Sequence, residues 1–521
     1  MKYNNGNKLH EEILNGVNVL ADNVASTLGP KGRNVILCEK GKNPFITKDG
    51  VTIAAFVHLE DHFANAAAQI VKQAASKTND EAGDGTTTST VLARAIVREA
   101  QKFLKSGVSP VEMKRGMDKA CEEIVNFLQE NSNPVSNKED IMNIATVSAN
   151  GDKTIGDLVA TAIDQAGKDG AVSIEESRSV ETSLDTTEGF IFNSGFAASA
   201  FITDERRRVV KYDDCLIFVT DKKLEKVDEM LPVLELAARE NKPLLIVADE
   251  IEGQLLAALI MNAVRGTMKV AAVKAPYYGE ERRAVLSDLA IATGAHFFTR
   301  EDATPLNEIR LQHFGTAKSF EATKNVTTIV GGLCDFEKLD ERIETLKEQI
   351  KQEEDIHACE RIQKRITRLA SGVAVIHVGG ATEVEVTEKK HRIEDALEAV
   401  RSAQLGGIHA GGGVPLAKAS QSVELLEAIN NEQKIGFDII LSSIREPIRQ
   451  MALNAGESPD IIINMIKNAD TGMGYNFATG EMVNMVEAGI IDPVRVTCCA
   501  LRNAVSVAST LMTTNYAIIQ E

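Results

Sequence analysis

The chain has no tryptophan, and aromatic residues make up only 4% of its 521 positions. Aromatic cages and base-stacking platforms, which need several large rings, are thereby excluded as an organising principle. No apolar run approaches the ~20 residues that a membrane-spanning helix needs. The polar opening Met1–His10 holds no apolar segment of the kind a secretory signal carries. Basic side chains are in short supply, 57 Lys and Arg against 75 Asp and Glu, for a net charge of −18. Such a surface repels phosphate backbones and anionic lipid, so nucleic-acid and membrane binding are disfavoured. The seven cysteines (Cys38, Cys121, Cys215, Cys334, Cys359, Cys498 and Cys499) are odd in number, scattered and never spaced C-x-x-C. That distribution fits reduced thiols in a cytoplasm rather than a disulfide framework. Two common nucleotide signatures are also missing: G-x-x-x-x-G-K-[ST], and G-x-G-x-x-G after a strand.

What is present is the mix of an ordinary globular protein, 44% hydrophobic and 25% charged. Its length suggests about three or four domain-sized units. Leu9, Ile13, Leu14, Val17, Leu20, Ala21 and Val24 recur at helical spacing and predict a helix over residues 9–28. Residues 64–77 and then Thr86 to about Leu104 read as helices separated by Gly83-Asp84-Gly85, with threonine as a suitable cap. The character changes after about Phe190. Leu216–Thr220, Leu244–Ala248 and Val270–Lys274 look like buried strands, with helices between them at 224–239 and 253–265. That alternation predicts an α/β unit in the middle of the chain. Residues 336–370 carry apolar steps of three and four with charges between them, the pattern of a helical hairpin packed on one side. From about Val400 helices return. A discontinuous domain built from both ends, with the α/β centre inserted, is the economical arrangement.

The chemistry-bearing residues are small or acidic and sit in loops. Glycine lets backbone N–H groups approach phosphate oxygens, and a helix N-terminus adds about half a positive charge. Gly83-Asp84-Gly85-Thr86-Thr87-Thr88 supplies both, together with a carboxylate suited to Mg²⁺. Thr27-Leu28-Gly29-Pro30-Lys31-Gly32 and Gly411-Gly412-Gly413 offer similar loops. Taken singly, each loop is more often a plain turn, Asp49 before Gly50 is a turn former, and Asp395 could be a surface charge. Spacing alone does not join them into one site.

Family resemblance joins them. The segments TLGPKGRNV (27–35), TKDGVT (47–52), NDEAGDGTTTSTVLA (79–93), RIEDAL (392–397), AGGG (410–413), GYNFATG (474–480) and IIDP (490–493) resemble, in the same order, the nucleotide pocket of group I (GroEL-like) chaperonins. KPLLIVADEIEG (242–253), MKVAAVKAP (268–276) and GVAVIHVGGATEVEVTEKK (372–390) extend the likeness over nearly the whole chain. The resemblance implies a multi-domain α and α/β chaperonin fold. A helical equatorial ATPase domain would take residues 1–130 and 406–521, and an intermediate hinge domain 131–187 and 374–405. An α/β apical domain would take residues 188–373. It further implies homo-oligomeric rings of seven subunits that use ATP, Mg²⁺ and K⁺ to fold non-native client proteins. Carried over by position, Asp84 would hold Mg²⁺, and Thr27, Lys48 and Thr87 would lie by K⁺. Gly29, Pro30, Gly83, Thr86, Thr87 and Thr88 would line the phosphates, and Leu28, Gly50, Gly85, Gly411 and Ile490 would also belong to the ATP site. Gly412 would meet the ribose region and Asp492 its hydroxyls, and Asn476 and Ala478 the adenine. Asp395 would orient the attacking water, with Asp49 assisting.

The same resemblance assigns a client-binding face to Phe196, Ala200, Phe201, Leu231, Leu234, Leu256, Ile260 and Met261, which fall in helical stripes, and a hinge to Gly189 and Gly372. Several positions depart from the family pattern. Ala200 and Ser199 replace an aromatic and a proline where the usual lid co-chaperonin docks. Ser194 replaces an arginine that pairs between subunits. Asn431 and Ser458 replace acids at the ring–ring contact, where Arg449 is kept. Phe477 replaces a small residue beside the adenine, and the chain ends at Glu521 without a Gly-Met-rich run. Two other classes remain: a ring-shaped holdase or scaffold with little turnover, and a small-molecule phosphotransferase using the same loops.

Overall fold

The computed structural model describes residues 2–39, 44–166, 171–177, 179–301, 306–332, 336–353, 356–370, 372–423 and 430–520. The chain divides into two compact units. The first comprises Met1–Ala160, Arg178–Glu181 and Val378–Glu521, and the second comprises Thr161–Ser177 and Thr182–His377. The first unit is therefore built from both ends of the polypeptide. Both divisions fall inside the segments that resemblance assigns to the hinge domain.

The first unit is mainly helical. Helices Gly6–Ala25, His62–Ala82, Thr86–Leu104, Pro110–Glu130, Asn431–Ser443 and Val494–Thr513 enclose a core of Leu9, Val17, Leu20, Leu92, Ile96, Met113, Phe437, Ile440 and Leu501. The helix predicted over 9–28 begins and ends about three residues earlier, at Gly6–Ala25. Helices Pro110–Glu130 and Asn431–Ser443 cross with almost no gap. A Cβ on Gly116 would lie 1.9 Å from the Gln433 carbonyl oxygen, and one on Gly436 would lie 2.0 Å from that of Met113. Only glycine at both points permits that approach, so the crossing ties the N-terminal to the C-terminal segment. The two ends also pair directly, Lys2–Asn5 antiparallel to Tyr516–Ile519.

The second unit is an α/β body around a nine-stranded sheet. Strands Val270–Lys274, Leu244–Ala248 and Val210–Thr220 are parallel neighbours; the first two bury nearly every side chain, and the third is buried from Cys215 onward. Two of them have the predicted bounds, because continuous runs such as Leu244–Ala248 must be covered on both faces. The sheet continues antiparallel through Gly315–Ala322, Thr327–Gly332, Ser183–Phe192 and Gly372–Val378. The two glycines that resemblance assigns to a hinge both lie in this half, Gly189 opposite Val330 and Gly372 opposite Glu188. Phe190, Phe192, Phe218, Phe298 and Phe320 fill the core. The charged segment forms helices Phe336–Gln352 and Ile356–Ala370, whose apolar edges, including Leu346, Ile366 and Leu369, join that core. Buried Asp288 accepts hydrogen bonds from Arg342 Nε (2.9 Å) and from Arg365 Nε (2.7 Å), so the hairpin is also held by ions. Among the described residues every cysteine is free, and no helix is long and apolar enough to cross a membrane. Cys334 lies outside the described residues.

Candidate functional site

The first unit contains a cavity of about 740 Å³, within the size range of small-molecule sites. Its lining takes in Thr27, Leu28, Gly29, Pro30, Lys48, Asp49, Gly50, Gly83, Asp84, Gly85, Thr86, Thr87, Thr88, Asp395, Gly412, Asn476, Ala478, Ile490 and Asp492. Of the residues singled out for this pocket, Gly411 alone is not in the lining. It lies next to Gly412, and its N–H donates to the Ile490 carbonyl at 2.8 Å. Loops separated by hundreds of residues thus converge on one space.

Local chemistry explains how each wall forms. Helix His62–Ala82 stops at Gly83 (φ 70°), and helix Thr86–Leu104 begins after Gly85 (φ 84°). Two left-handed residues around Asp84 reverse the chain within one short loop, a conformation that glycine adopts without penalty. The helix start differs from the expectation of a threonine cap. Gly85 is the cap and makes no side-chain hydrogen bond, and Thr86 is already helical. The Thr87 and Thr88 side chains are therefore not consumed as that cap. Asp49 caps the short helix Gly50–Phe56, accepting from the N–H groups of Val51 (3.2 Å) and Thr52 (3.1 Å). Lys48 Nζ donates to the Gly29 carbonyl (3.2 Å) and to Asn150 Oδ1 (2.9 Å), linking two loops of the wall.

Three carboxylates stand close enough to feel one another. Burial pushes the Asp84 carboxyl up, and the charge of Asp49 adds to that; the Gly85 N–H and the Ser148 hydroxyl (3.1 Å) oppose it. Burial, then the charge of Asp84, lifts Asp492 to about 7, against the Gly412 N–H. Both acids are surrounded by protein yet keep a face on the cavity. Lys48 is pushed down, chiefly by burial and then by the Arg392 charge. Acids held in mutual repulsion beside glycine-lined N–H groups are matched to a divalent cation carrying phosphate. Mg²⁺ needs only one or two carboxylates when substrate oxygens complete its shell, so the donor set fits it. Among the described residues no cluster of three or more His, Cys, Asp or Glu exists that would hold a metal unaided. Thr27, Lys48 and Thr87 bring hydroxyl and carbonyl oxygens of the kind K⁺ takes, and the Lys48 ammonium is engaged elsewhere.

Asp395 lies on helix Glu383–Gly406, one turn after Arg392, which is clamped by Asp152 (3.0 Å) and Glu388 (2.7 Å). The sequence reading did not single out Ser148, Asn150, Arg392 or His409 as individual site residues. Asn150-Gly151 is a turn signal that could have pointed to one of them: Asn150 sits at φ 60°, a left-handed position that asparagine tolerates. The other three carry no local signal.

In the second unit the proposed client residues separate by exposure. Leu231 (47% exposed) and Met261 (48%) stand at the surface, Ala200 is exposed, and Phe196, Leu256 and Ile260 are half-buried. Phe201 (1%) and Leu234 (9%) are not surface residues. The turn Ser199–Phe201 packs under helix Gly253–Val264, and Leu234 falls on the buried stripe with Met230, Val233 and Ala237. Helical periodicity finds such a stripe but not which of its edges faces solvent, and on this point the sequence reading is corrected. Arg449 pairs within the chain, with Asp460 and with Glu446 (3.8 Å).

The model of the TCP-1/cpn60 chaperonin family matches residues 20–521. Among solved structures, the chaperonin gp146 from the bacteriophage EL 2 (Pseudomonas aeruginosa), crystallised in the presence of ATP-BeFx, aligns over 100% of both chains. The TM-score is 0.67 at 22% sequence identity, a likeness of fold.

Proposed function

The chain belongs to the TCP-1/cpn60 chaperonin family, and from that premise we propose that it is a subunit of an ATP-hydrolysing folding machine. The observation that carries this reading is the convergence of Asp49, Asp84, Asp395 and Asp492 with three glycine loops on one cavity. Phosphoryl transfer asks little covalent chemistry of a protein. It needs an in-line water, neutralised phosphate charge and fixed geometry. In this reading the N–H groups and hydroxyls of Thr86, Thr87 and Thr88, with Gly29, Pro30 and Gly83, hold the phosphates. Asp84 would hold Mg²⁺, which supplies charge neutralisation, and Thr27, Lys48 and Thr87 would provide oxygens for K⁺. Asp492 and Gly412 face the ribose, and Asn476 and Ala478 the adenine. Asp395 orients the attacking water and accepts its proton, and Asp49, already fixed as a helix cap, assists.

Client capture falls to the apolar surface around Leu231 and Met261, with Leu256 and Ile260 beside them. Burying one such side chain fully contributes about 1.5–3 kcal/mol. A few per subunit, less the ordering cost, bind weakly. Several faces arranged in a homo-oligomeric ring of seven would hold one unfolded chain about 10²-fold more tightly or better. ATP-driven movement would then release the client into the enclosed space. Reduced thiols suit a cytoplasmic setting. Ala200 and Ser199 leave the rim with less apolar surface for a lid co-chaperonin than the family usually offers.

The test is phosphate release from ATP together with refolding of a denatured, aggregation-prone enzyme, with and without a lid protein. Turnover coupled to refolding is expected. Suppressed aggregation without ATP hydrolysis would replace this reading by that of a holdase ring.

A further inference from the structure

Helix Lys138–Ser148 ends in the cavity wall, and the turn that closes it sends two side chains to distant residues of the pocket. Ser148 Oγ donates to Asp84 Oδ2 at 3.1 Å, and Asn150 Oδ1 accepts from Lys48 Nζ at 2.9 Å. Neither bond is the common one for its residue type. A serine or threonine in a helix often bonds back to a carbonyl three or four residues earlier, as Thr146 of the same helix does to Met142 at 2.7 Å. An asparagine in a turn often bonds its own backbone two residues on, as Asn476 does with the Ala478 N–H at 3.0 Å. Ser148 and Asn150 instead reach across 64 and 102 positions. Asn150 (φ 60°) and Gly151 (φ 86°) are both left-handed, and the Gly151 N–H donates to the Thr146 carbonyl at 2.8 Å, so both side chains leave one tight turn.

Each oxygen of the Asp84 carboxylate is held, Oδ1 by the Gly85 N–H and Oδ2 by the Ser148 hydroxyl. Two donors on different oxygens fix the plane of the group and leave it lone pairs for a cation. Such partners orient a ligating carboxylate, and losing one typically lowers metal affinity about 10–100-fold. Lys48 Nζ spans Asn150 Oδ1 and the Gly29 carbonyl (3.2 Å), so Asn150 keeps the ammonium on the loop read as lining the phosphates. Ser148 is half-buried, Asn150 is exposed, and both line the cavity with Asp84 and Lys48. Resting on the nucleotide reading above, we infer that Ser148 and Asn150 are positioning residues: Ser148 sets the Asp84 carboxylate for Mg²⁺, and Asn150 holds Lys48 on the Gly29 loop for the phosphates.

Calorimetric binding of ATP to the full-length protein, with Mg²⁺ and in EDTA, tests it. Wild type should bind more tightly with Mg²⁺. Ser148→Ala should cut that gain about tenfold and leave binding in EDTA within about twofold; Ser148→Thr keeps the hydroxyl and should keep most of the gain. Asn150→Gly retains the left-handed backbone and should weaken ATP about fivefold in both conditions; Asn150→Asp keeps the acceptor and should keep most of the affinity. A hydroxyl that served only the fold would change both conditions alike. Equal losses with and without Mg²⁺ in Ser148→Ala, an unchanged gain there, wild-type affinity in Asn150→Gly, or a wild type that gains nothing from Mg²⁺ overturns the inference. Should Ser148→Ala not fold, Ser148→Cys, a weak donor of similar size, takes its place under the same outcomes. Absence of any ATP binding by wild type would instead sink the nucleotide reading itself.

Discussion

Replacing Asp492 by asparagine should make the protein more stable at neutral to alkaline pH while weakening its grip on nucleotide. The carboxyl is lifted from 3.8 to about 7 by burial and then by Asp84. Its folded value lies above its unfolded one, so the folded state holds the proton more tightly. The penalty is therefore absent below about pH 4, grows between about 4 and 7, and is complete above 7. A lift of this size corresponds to about 4 kcal/mol against the ionised form. Water in the cavity screens one face of the group, so about 2 kcal/mol is the readable part. Asparagine keeps the shape and removes the charge. Thermal unfolding of wild type and Asp492→Asn should show the variant about 2–4 °C higher at about pH 8, with less than half that gain at about pH 5. Calorimetry of the same variant should show ATP bound about tenfold more weakly, through loss of a charged acceptor. Equal midpoints at pH 8, or the same gain at both pH values, would refute the argument that a crowded, desolvated carboxylate costs stability for the sake of a ligand.

Asp395→Ala should bind ATP normally and hydrolyse it about 10²–10⁴-fold more slowly, as loss of a positioned base predicts; ordinary turnover by phosphate release would remove the residue from the mechanism. Asp288→Asn should destabilise the second unit by about 3–5 kcal/mol, because Arg342 and Arg365 lose a shared, buried carboxylate; chemical denaturation measures it. Leu231→Ser with Met261→Ser should leave stability within about 0.5 kcal/mol and reduce capture of an unfolded client. Phe201→Ser should instead unfold the body by about 3–5 kcal/mol, since it empties a buried site. A Phe201 variant that keeps its stability would contradict the burial seen here.

Much of the fold was legible because its signals are local. Leu244–Ala248 and Val270–Lys274 are continuous apolar runs of strand length, and they became parallel strands with those bounds. The charged hairpin announced itself through apolar steps of three and four. The antiparallel half of the sheet did not. Ser183–Phe192 and Thr327–Gly332 mix polar and apolar residues, and their pairing links positions about 140 residues apart, as Phe190 with Ile329. At the site, Gly83-Asp84-Gly85 and Asn150-Gly151 could be read as backbone devices. Ser148, Arg392 and His409 could not, since a serine, an arginine or a histidine on a regular element has many ordinary uses.

The sequence by itself determined the family, the alternation of helical and α/β regions, and the list of loops able to approach phosphate, because helix periodicity, glycine freedom and motif order are properties of neighbouring residues. Only the tertiary structure decided that Asp49, Asp84, Asp395 and Asp492 share one cavity, that Asp84 and Asp492 resist ionisation there, and that Phe201 and Leu234 face inward. Desolvation, charge–charge repulsion and burial depend on which atoms from distant segments come together, and no stretch of neighbouring residues carries that information.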